Sequence, residues 1–578
     1  MPGRVFALNQ QIPSIKSGAE WHVLFALRSI RRTPMEENMN KLVWWKQGVV
    51  YQIYPRSFQD SNGDGIGDLR GIIARLDYLK WLGVKSIWIS PFYPSPMADF
   101  GYDISDYKDI DPIFGTLSDF DVLLIAVHER EMKLILDLVP NHTSDQHPWF
   151  KESRSSRNNP KRDWYIWKDA KPDGGYPNNW LSSFGGSAWE WDDKTGQYYY
   201  HAFDKAQPDL NWRNQEVQRA IFDVMRFWLD KGVDGFRVDV MWHMVKHEQF
   251  RDNPPNPDYA THMSTFHQLL PVFSTDQPEV HDIVRKMRDV LDTYDDRMMI
   301  GEIYLPVQKL VAYYGTDLKG AHLPFNFQLI TLPWDATEIV SALIAYEAAL
   351  PPQGWPNWVL SNHDKPRIAS RVGAEQSFVA AMLLLTLRGT VTLYYGDEIG
   401  MRDVAIPMEE LVDPRGVNMP DKNLGRDPAR SPMQWDATAH SGFTEGKPWL
   451  RVDRRYRQVN VEAQRLNDDS LLSLHRRLIQ LREREPSLTA GDLAPVYADH
   501  QLISYVRAAP GFARFLIVLN LSHRPCFFRT ETEDIKGTVV LCTAKEMEGK
   551  GVRGVITLEA DEGIIVRLEP REKGTPKF

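Results

Sequence analysis

The sequence predicts an α/β protein: a (β/α)8 TIM barrel with an inserted subdomain after its third strand and a C-terminal antiparallel β-sandwich domain. Two observations favour the barrel. Eight short apolar, β-rich runs recur along the chain, and amphipathic stretches separate them. The apolar runs are 49–54, 84–90, 134–139, 235–239, 298–302, 321–327, 358–360 and 391–395. The amphipathic stretches include 69–82, 117–130, 216–231 and 280–294.

Polar residues follow several of these runs, which is a third observation. The carboxyl ends of the strands carry the chemistry in a barrel of this kind, so we expect these side chains to meet at one mouth. The polar residues are Asn141 and His142 after the third run, Arg237 and Asp239 at the fourth, Glu302 at the fifth, and His363 and Asp364 after the seventh.

The chain divides into four predicted segments. Residues 1–38 differ in pattern from the rest of the chain and suit an upstream extension or a disordered segment. The catalytic barrel occupies 39–140 and 212–490. Residues 141–211 are rich in Trp, Asn, Gly and Pro and too long for an ordinary loop, which predicts the inserted subdomain. Short alternating runs after a helical stretch at 470–484 predict the β domain over 491–578.

The composition excludes several kinds of partner. A formal net charge of −9 argues against a nucleic-acid or anionic-membrane surface. We find no run of about 18 apolar residues and no secretory pattern, so we expect a cytoplasmic protein without a membrane span. We expect a monomer or homodimer. The two cysteines, Cys526 and Cys542, are too few for a disulfide framework and are expected to be free thiols.

The fourth run carries a charged pair on one face. Arg237 and Asp239 lie two residues apart, so their side chains point the same way on a strand. Such a pair is either a structural ion pair or part of a site. With Glu302 at a neighbouring strand end, it supplies the two carboxyl groups, about 5 Å apart, that cleavage of a glycoside with retention requires.

The two carboxyl groups need different protonation states. Arg237 is placed to lower the pKa of Asp239, which would keep a nucleophile ionised. Glu302 follows an apolar run, and burial there would keep a proton donor protonated.

A second motif predicts a metal loop. Asp60, Asn62, Asp64 and Asp68 present oxygen ligands at alternate positions, with glycines that allow a tight turn. Hard cations such as Ca²⁺ are held in this way. The alternative is a solvated acidic turn.

The chain resembles the α-amylase family of glycoside hydrolases, glycoside hydrolase family 13. The family's four principal motifs are matched at 137–142, 235–239, 301–303 and 361–364, and its fifth motif at 207–212. Segments 50–58 and 430–435 resemble signatures of the oligo-1,6-glucosidase and α-glucosidase members, with Ser431 where threonine is usual. The resemblance runs from about residue 39 to the C-terminus.

The resemblance implies catalytic roles for three carboxylates. Asp239 would be the nucleophile, Glu302 the proton donor and later the base, and Asp364 would bind the sugar's 2- and 3-hydroxyls. His142 and His363 would donate hydrogen bonds to sugar hydroxyls, and Arg237 would hold the nucleophile.

The resemblance also implies the other binding residues. Asp99 and Arg430 would form the pair that closes the far end of the glucose pocket, and Tyr102 would be the aromatic platform. Asp60, Asn62, Asp64 and Asp68, with the carbonyl of Ile66, would hold a structural Ca²⁺ or Mg²⁺. No organic cofactor is implied.

These residues imply a retaining, exo-acting α-glucosidase that acts on a small α-glucoside, with water or a second sugar capturing the glucosyl group. Alternatives within the family are a sucrose isomerase and a trehalose-forming glucosyl mutase. An alternative of another class is a non-catalytic, transporter-associated scaffold, which would need a membrane span. Val240 accompanies α-1,6 activity in related enzymes, but residues 241–243 depart from their pattern, so the linkage stays open.

Overall fold

Eight parallel strands form the barrel. The structure is a computed structural model that describes residues 42–529 and 535–570, so the predicted extension 1–38 lies outside the described residues. The barrel strands pair in the order β10-β11-β1-β2-β3-β7-β8-β9. The first eleven strands are β1 Val49–Ile53, β2 Ser86–Ile89, β3 Lys133–Leu138, β4 Trp167–Lys168, β5 Trp189–Asp192, β6 Gln197–Tyr200, β7 Gly235–Val238, β8 Met298–Gly301, β9 Leu323–Pro324, β10 Asn357–Val359 and β11 Thr390–Tyr394.

The barrel strands are buried along almost their whole length, because helices cover the outside and side chains fill the inside. No backbone ladder joins β9 to β10 among the described residues. The buried side chain of Asn357 bridges this seam instead. Its Nδ2 donates to the Pro324 carbonyl at 2.6 Å, and its Oδ1 accepts the Asn326 N–H at 3.0 Å.

Helices alternate with the strands, and local sequence signals set several of their ends. Asp68 caps the N-terminus of the helix 69–82, and Gly83 ends it in a left-handed conformation. Asn214 and Gly232 do the same for the helix 215–231. The α-helices are α1 Trp44–Gln47, α2 Leu69–Leu82, α3 Leu117–Glu129, α4 Pro148–Ser153, α5 Gln215–Lys231, α6 Val280–Leu291, α7 Val307–Leu310, α8 Gln328–Thr331, α9 Ala336–Ala349, α10 Ile368–Thr386, α11 Pro414–Asn418, α12 Val461–Arg465, α13 Leu471–Arg484 and α14 Pro486–Thr489.

The segment between β3 and α5 forms a separate small sheet. Strands β4, β6 and β5 pair antiparallel in that order around a buried aromatic cluster that includes Trp180, Trp189 and Tyr200. Trp180 Nε1 donates to the Arg251 carbonyl at 2.8 Å, which ties this segment to the loop that follows β7.

The chain ends in antiparallel sheets. A six-stranded sheet has the order β12-β13-β14-β19-β16-β17, and β15 pairs with β18. These strands are β12 Asp492–Ala498, β13 Leu502–Ala508, β14 Phe515–Asn520, β15 Cys526–Phe528, β16 Lys536–Cys542, β17 Gly551–Arg553, β18 Ile556–Leu558 and β19 Gly563–Leu568. Buried Arg507 on β13 donates to the Thr386 carbonyl at the end of α10, which holds this barrel helix against the six-stranded sheet.

Helix α10 is long and apolar enough to cross a membrane by length and composition, with a mean hydropathy of 1.3. Of that window, 61% is buried inside the protein, as in the core helix of a barrel. Arg371 and Glu375 interrupt its apolar residues, so the sequence contains no unbroken apolar run of that length.

The predicted fold class is confirmed: a nearly closed parallel barrel with an antiparallel β region at the C-terminus. Among the described residues, both cysteines are free thiols, as expected. The division into four segments at the predicted boundaries stays a prediction.

We expect Asn357→Ala to destabilise the protein by about 1–3 kcal/mol, because it leaves buried backbone groups of the seam unpaired. The measurement is the melting temperature by circular dichroism. Replacement of the exposed Asn158 by Ala is the control and should change it little. Equal melting temperatures for the two variants would show that the seam does not depend on this amide.

Candidate active site

The Arg237 guanidinium lies at the centre of the barrel mouth and binds three carboxylates. It is 1% exposed. Its Nη1 donates to Asp137 Oδ1 and to Asp239 Oδ1, each at 2.9 Å, and its Nη2 donates to Glu302 Oε2 at 2.5 Å. Asp137 on β3 is the register partner of Arg237 on β7, so the sheet itself places the two side by side. Asp239 and Glu302 therefore converge on one cation from adjacent strand ends.

The backbone just after Asp239 is strained. Val240 has φ 34° and ψ 46°, a left-handed conformation that is costly for a β-branched residue. The turn aims the Val240 N–H at Glu302, whose Oε2 accepts it at 2.9 Å. A short 3₁₀ turn, Met241–His243, follows. The strain is thus associated with a hydrogen bond that fixes the second carboxyl group.

Burial raises the pKa of the Asp239 carboxyl well above its ordinary value. The Arg237 charge opposes this shift, while the Glu302 and Asp137 charges and hydrogen bonding with Glu302 reinforce it. The prediction that Arg237 lowers the pKa of Asp239 below its ordinary value is wrong, because burial outweighs the nearby charge. Burial therefore favours the protonated form of the Asp239 carboxyl before any ligand enters.

Asp364 is the most accessible of the three predicted catalytic carboxylates, with its side chain 22% exposed. Its Oδ1 accepts from Arg430 Nη2 at 3.1 Å and from Arg426 Nη1 at 3.3 Å. Burial alone would raise the pKa of Asp364, but the His363 ring and the two arginines hold it well below the ordinary value. Asp364 is therefore ionised at neutral pH.

His363 and Tyr102 form a stacked pair, with ring centroids 5.4 Å apart. Gln52 Nε2 donates to His363 Nδ1 at 2.7 Å, which leaves Nε2 to donate to the Tyr102 hydroxyl at 2.7 Å. The Tyr102 hydroxyl then donates to Asp137 Oδ2 at 3.1 Å. Burial lowers the pKa of His363 to about 3, so the ring is neutral.

His142 is also buried and neutral, because burial lowers its pKa to about 4. The fifth motif lies beside it. Asp209 accepts from Asn141 Nδ2 at 2.8 Å and from the buried ammonium of Lys246, and Gln207 Nε2 donates to Asp99 Oδ2 at 3.2 Å. The end of the inserted segment is therefore bonded directly to the barrel mouth.

The predicted pair of Asp99 with Arg430 is wrong. Asp99 Oδ1 is bound by Arg426 Nη2 at 2.5 Å, and Arg430 instead donates to Asp364 and to the His363 carbonyl. Arg426 also donates to Asp413 Oδ1 at 2.6 Å. Arg426 lies four residues before the motif 430–435 that led to the prediction, and sequence spacing alone does not show which of the two arginines reaches Asp99.

The predicted metal ligands lie on the loop that leads into α2. Asp60 is buried, and its carboxylate accepts three backbone N–H groups of the loop at 2.8 Å. Asp64 Oδ1 accepts the Ile66 N–H at 2.8 Å, and Asn62 Nδ2 donates to Asp64 Oδ2 at 3.1 Å. Asp68 caps α2. The loop is thus held by its own side chains.

All the donors on this loop are oxygens, which is the chemistry that Ca²⁺ and Mg²⁺ prefer. In the described part of the chain, no three acidic, imidazole or thiol groups lie close enough together to hold a metal ion. A site here would therefore need the amide oxygen of Asn62 and a backbone carbonyl as well as carboxylates. The metal stays a prediction.

The family model for the α-amylase catalytic domain matches residues 52–491. The oligo-1,6-glucosidase of Parageobacillus thermoglucosidasius is 41% identical over 524 residues, which cover 84% of this chain and 92% of that protein. The probable α-glucosidase of Rhizobium meliloti is 40% identical over 493 residues, with 83% and 89% covered.

Solved structures agree in fold. The α-glucosyl transfer enzyme XgtA is 39% identical with a TM-score of 0.86, over 92% of this chain and all of that one. The trehalulose synthase MutB from Pseudomonas mesoacidophila MX-45 is 34% identical with a TM-score of 0.85, over 91% of this chain and all of that one.

We expect Asp99 to take up its proton near pH 6, because burial raises its pKa to about 6 against the opposing charges of Arg426 and Arg430. A potentiometric difference titration of wild type against Asp99→Asn measures this uptake. One proton should bind as the pH falls through about 6. Uptake confined to the ordinary range of a surface aspartate, near pH 4, would contradict the buried pair.

Proposed function

The chain belongs to the α-amylase family of glycoside hydrolases, and we propose that it is a retaining, exo-acting α-glucosidase. It releases terminal, non-reducing α-linked glucose from small oligosaccharides or disaccharides. The observation that carries this proposal is the pair of carboxyl groups, Asp239 and Glu302, which one guanidinium holds at adjacent strand ends. Retaining glycosidases need two facing carboxyl groups, one to attack and one to give a proton.

The chemistry follows from these two groups. The Asp239 carboxylate attacks the anomeric carbon while Glu302 protonates the glycosidic oxygen, so the bond to the leaving sugar breaks as the glucosyl ester forms. Glu302, now ionised, removes a proton from water, and the water oxygen displaces Asp239 with a second inversion. The attack requires an ionised Asp239 when a substrate binds, and the Arg237 charge 2.9 Å away favours that form.

The residues around the pair support a pocket that holds one glucose unit. Asp364, ionised and held by two arginines, offers oxygens to the sugar's 2- and 3-hydroxyls. In the protein without a ligand, the Nε2–H groups of the neutral His142 and His363 rings donate to the carbonyl and hydroxyl of Tyr102. Each ring would exchange that partner for a sugar hydroxyl, and Tyr102 supplies an aromatic face. The Asp99–Arg426 ion pair closes the far end, which favours a terminal residue over the interior of a polymer.

The preferred linkage and the fate of the glucosyl-enzyme are open within this proposal. Val240 and the relatives named oligo-1,6-glucosidase support α-1,6 activity. The likeness to XgtA and to the trehalulose synthase supports transfer of glucose to a sugar, so isomerisation of sucrose is the second candidate. Chromatography of the products from maltose, isomaltose and sucrose tests all of these, since each activity leaves a different product set.

The cellular setting is also a proposal. We propose a cytoplasmic protein that works as a monomer or homodimer on a small α-glucoside. The acidic net charge of −9 supports the absence of nucleic-acid and membrane partners. Light scattering of the full chain gives the oligomeric state.

We expect Asp239→Ala to abolish turnover of every α-glucoside while leaving the melting temperature near that of wild type, because no other group can form the glucosyl ester. Steady-state kinetics measure the turnover, and circular dichroism measures the melting temperature. Residual activity above about a thousandth of wild type would contradict the nucleophile role.

We expect Glu302→Gln to keep substrate binding but lose most of kcat on substrates with poor leaving groups, because the amide cannot protonate the departing oxygen. Aryl α-glucosides with activated leaving groups should be much less affected than maltose. An equal loss for both kinds of substrate would assign the proton transfer to another residue.

We propose that the loop 60–68 holds a structural Ca²⁺ or Mg²⁺ that braces the first βα connection, supported by its alternating oxygen donors. Chelation should lower the melting temperature, and added Ca²⁺ or Mg²⁺ should restore it, since a ligand bound only to the folded state stabilises it. Asp64→Ala should remove the response. A melting temperature that neither chelator nor metal changes would refute the site.

A further inference from the structure

Two cations beside the catalytic carboxylates have no acidic partner among the described residues. Lys365 directly follows Asp364, is half-buried, and holds its ammonium 5.3 Å from the centre of the Tyr304 ring. Tyr304 lies two residues beyond Glu302, and its ring stacks on Phe327 with centroids 4.2 Å apart. The Lys365 charge therefore lies on a fixed aromatic face next to the predicted proton donor.

Arg415 is the second cation. It is the second residue of α11, and its N–H donates to the capping Asp413 at 3.3 Å. Its side chain is half-buried, and its Nε is buried without a hydrogen-bond partner in the part of the chain that the structure describes. The Asp413 carboxylate is bound by Arg426, so it does not pair with the Arg415 guanidinium.

The carboxylates of the site are already paired with other cations. Arg237 holds Asp239 and Glu302, and Arg426 and Arg430 share Asp364. Within residues 42–529 and 535–570, no carboxylate lies within 4.0 Å of the charged groups of Lys365 or Arg415. Partly buried charges without a counter-ion are costly, so such a pair is suited to an anionic ligand.

The two charges are also close enough to act on their surroundings. Burial and the Arg415 charge lower the pKa of Lys365 to about 8, so the ammonium is still protonated at neutral pH. Burial and the charges of Lys365 and Arg415 lower the pKa of the His267 ring to about 4.

The contacts of Arg426 place the two cations in one part of the barrel mouth. Arg426 binds Asp413, which caps the helix of Arg415. It also binds Asp364, which directly precedes Lys365.

Lys365 and Arg415 lie on the leaving-group side of the proposed pocket. The Asp99–Arg426 pair closes the glucose end, whereas Lys365 and Tyr304 adjoin Glu302, which meets the glycosidic oxygen. A group just beyond that oxygen belongs to the aglycone.

We propose that Lys365 and Arg415 form an anion-binding subsite, and that the preferred substrates are α-glucosides whose aglycone carries a carboxylate or a phosphate monoester. This inference rests on the proposed glucosidase function, and it names the substrate class of that site. Both anions offer the same chemistry, a charged oxygen cluster that a guanidinium and an ammonium bind by charge-assisted hydrogen bonds.

Matched substrates test the inference on the full chain. The first pair is para-carboxyphenyl and para-carbamoylphenyl α-glucoside, which differ in charge and hardly in shape. The second pair is maltose with and without a phosphate on the primary hydroxyl of its reducing glucose. We expect kcat/KM to favour the charged member of at least one pair by about tenfold or more. The pair that responds identifies the anion.

Three variants locate the effect. Lys365→Gln and Arg415→Gln should each reduce the preference towards unity, mainly by raising KM for the charged substrate. Lys365→Arg should retain the preference. The control is Lys422→Gln, which removes a cation of the same region whose ammonium is bound to the Thr261 carbonyl, and it should leave the preference unchanged. Circular dichroism confirms that each variant folds.

The outcomes separate the two proposals. Equal rates for charged and neutral substrates, or a preference that survives both glutamine substitutions, overturn the anion subsite and leave the glucosidase function standing. Loss of turnover on all four substrates overturns the glucosidase function instead. In that case, the binding of the two aryl glucosides to the wild-type protein is measured by calorimetry. Tighter binding of the carboxylate compound supports the anion subsite, and equal binding refutes the subsite.

Discussion

The Arg237 guanidinium is the interaction on which the site depends. It binds carboxylates from three strand ends, Asp137, Asp239 and Glu302, and burial leaves it 1% exposed. Three acidic groups so close together would repel one another and could not all remain ionised without a cation between them. The β3–β7 register sets the guanidinium in place, so the architecture of the sheet determines where the carboxyl groups can meet.

A second arginine, Arg426, also binds three carboxylates from different segments. Arg426 joins Asp99 from the loop after β2, Asp364 from the loop after β10 and Asp413 before α11. Its guanidinium also lies 4.8 Å from the centre of the Phe184 ring in the inserted segment. A single side chain therefore holds segments that are far apart in sequence together at one side of the barrel mouth. Fixed charges of this kind need no rearrangement when a polar transition state forms.

Much of this could be predicted from the sequence, for identifiable reasons. Short apolar runs predicted the eight barrel strands, and the amphipathic stretch 69–82 predicted α2, which spans those residues. Strands β12, β15 and β17 were not predicted. β15 and β17 have three residues each, too few to show alternation, and β12 contains Pro495, which is unusual inside a strand. The pairing of Asp99 with Arg426 could not be predicted from spacing, since Arg426 lies outside the motif 430–435 and only the folded loop shows which arginine reaches Asp99. The direction of the Asp239 pKa shift could not be predicted either, because the balance between burial and a nearby charge depends on three-dimensional distances.

The left-handed backbone at Val240 separates two tasks that share one residue. Its N–H donates to Glu302, whereas the proposed linkage preference depends on its side chain, which is 9% exposed. A different side chain at position 240 would change the proposed linkage preference and would keep the backbone N–H that orients Glu302. Related proteins could therefore differ in substrate preference at position 240 and keep the same position of Glu302. Each new side chain would have to tolerate the left-handed main-chain angles.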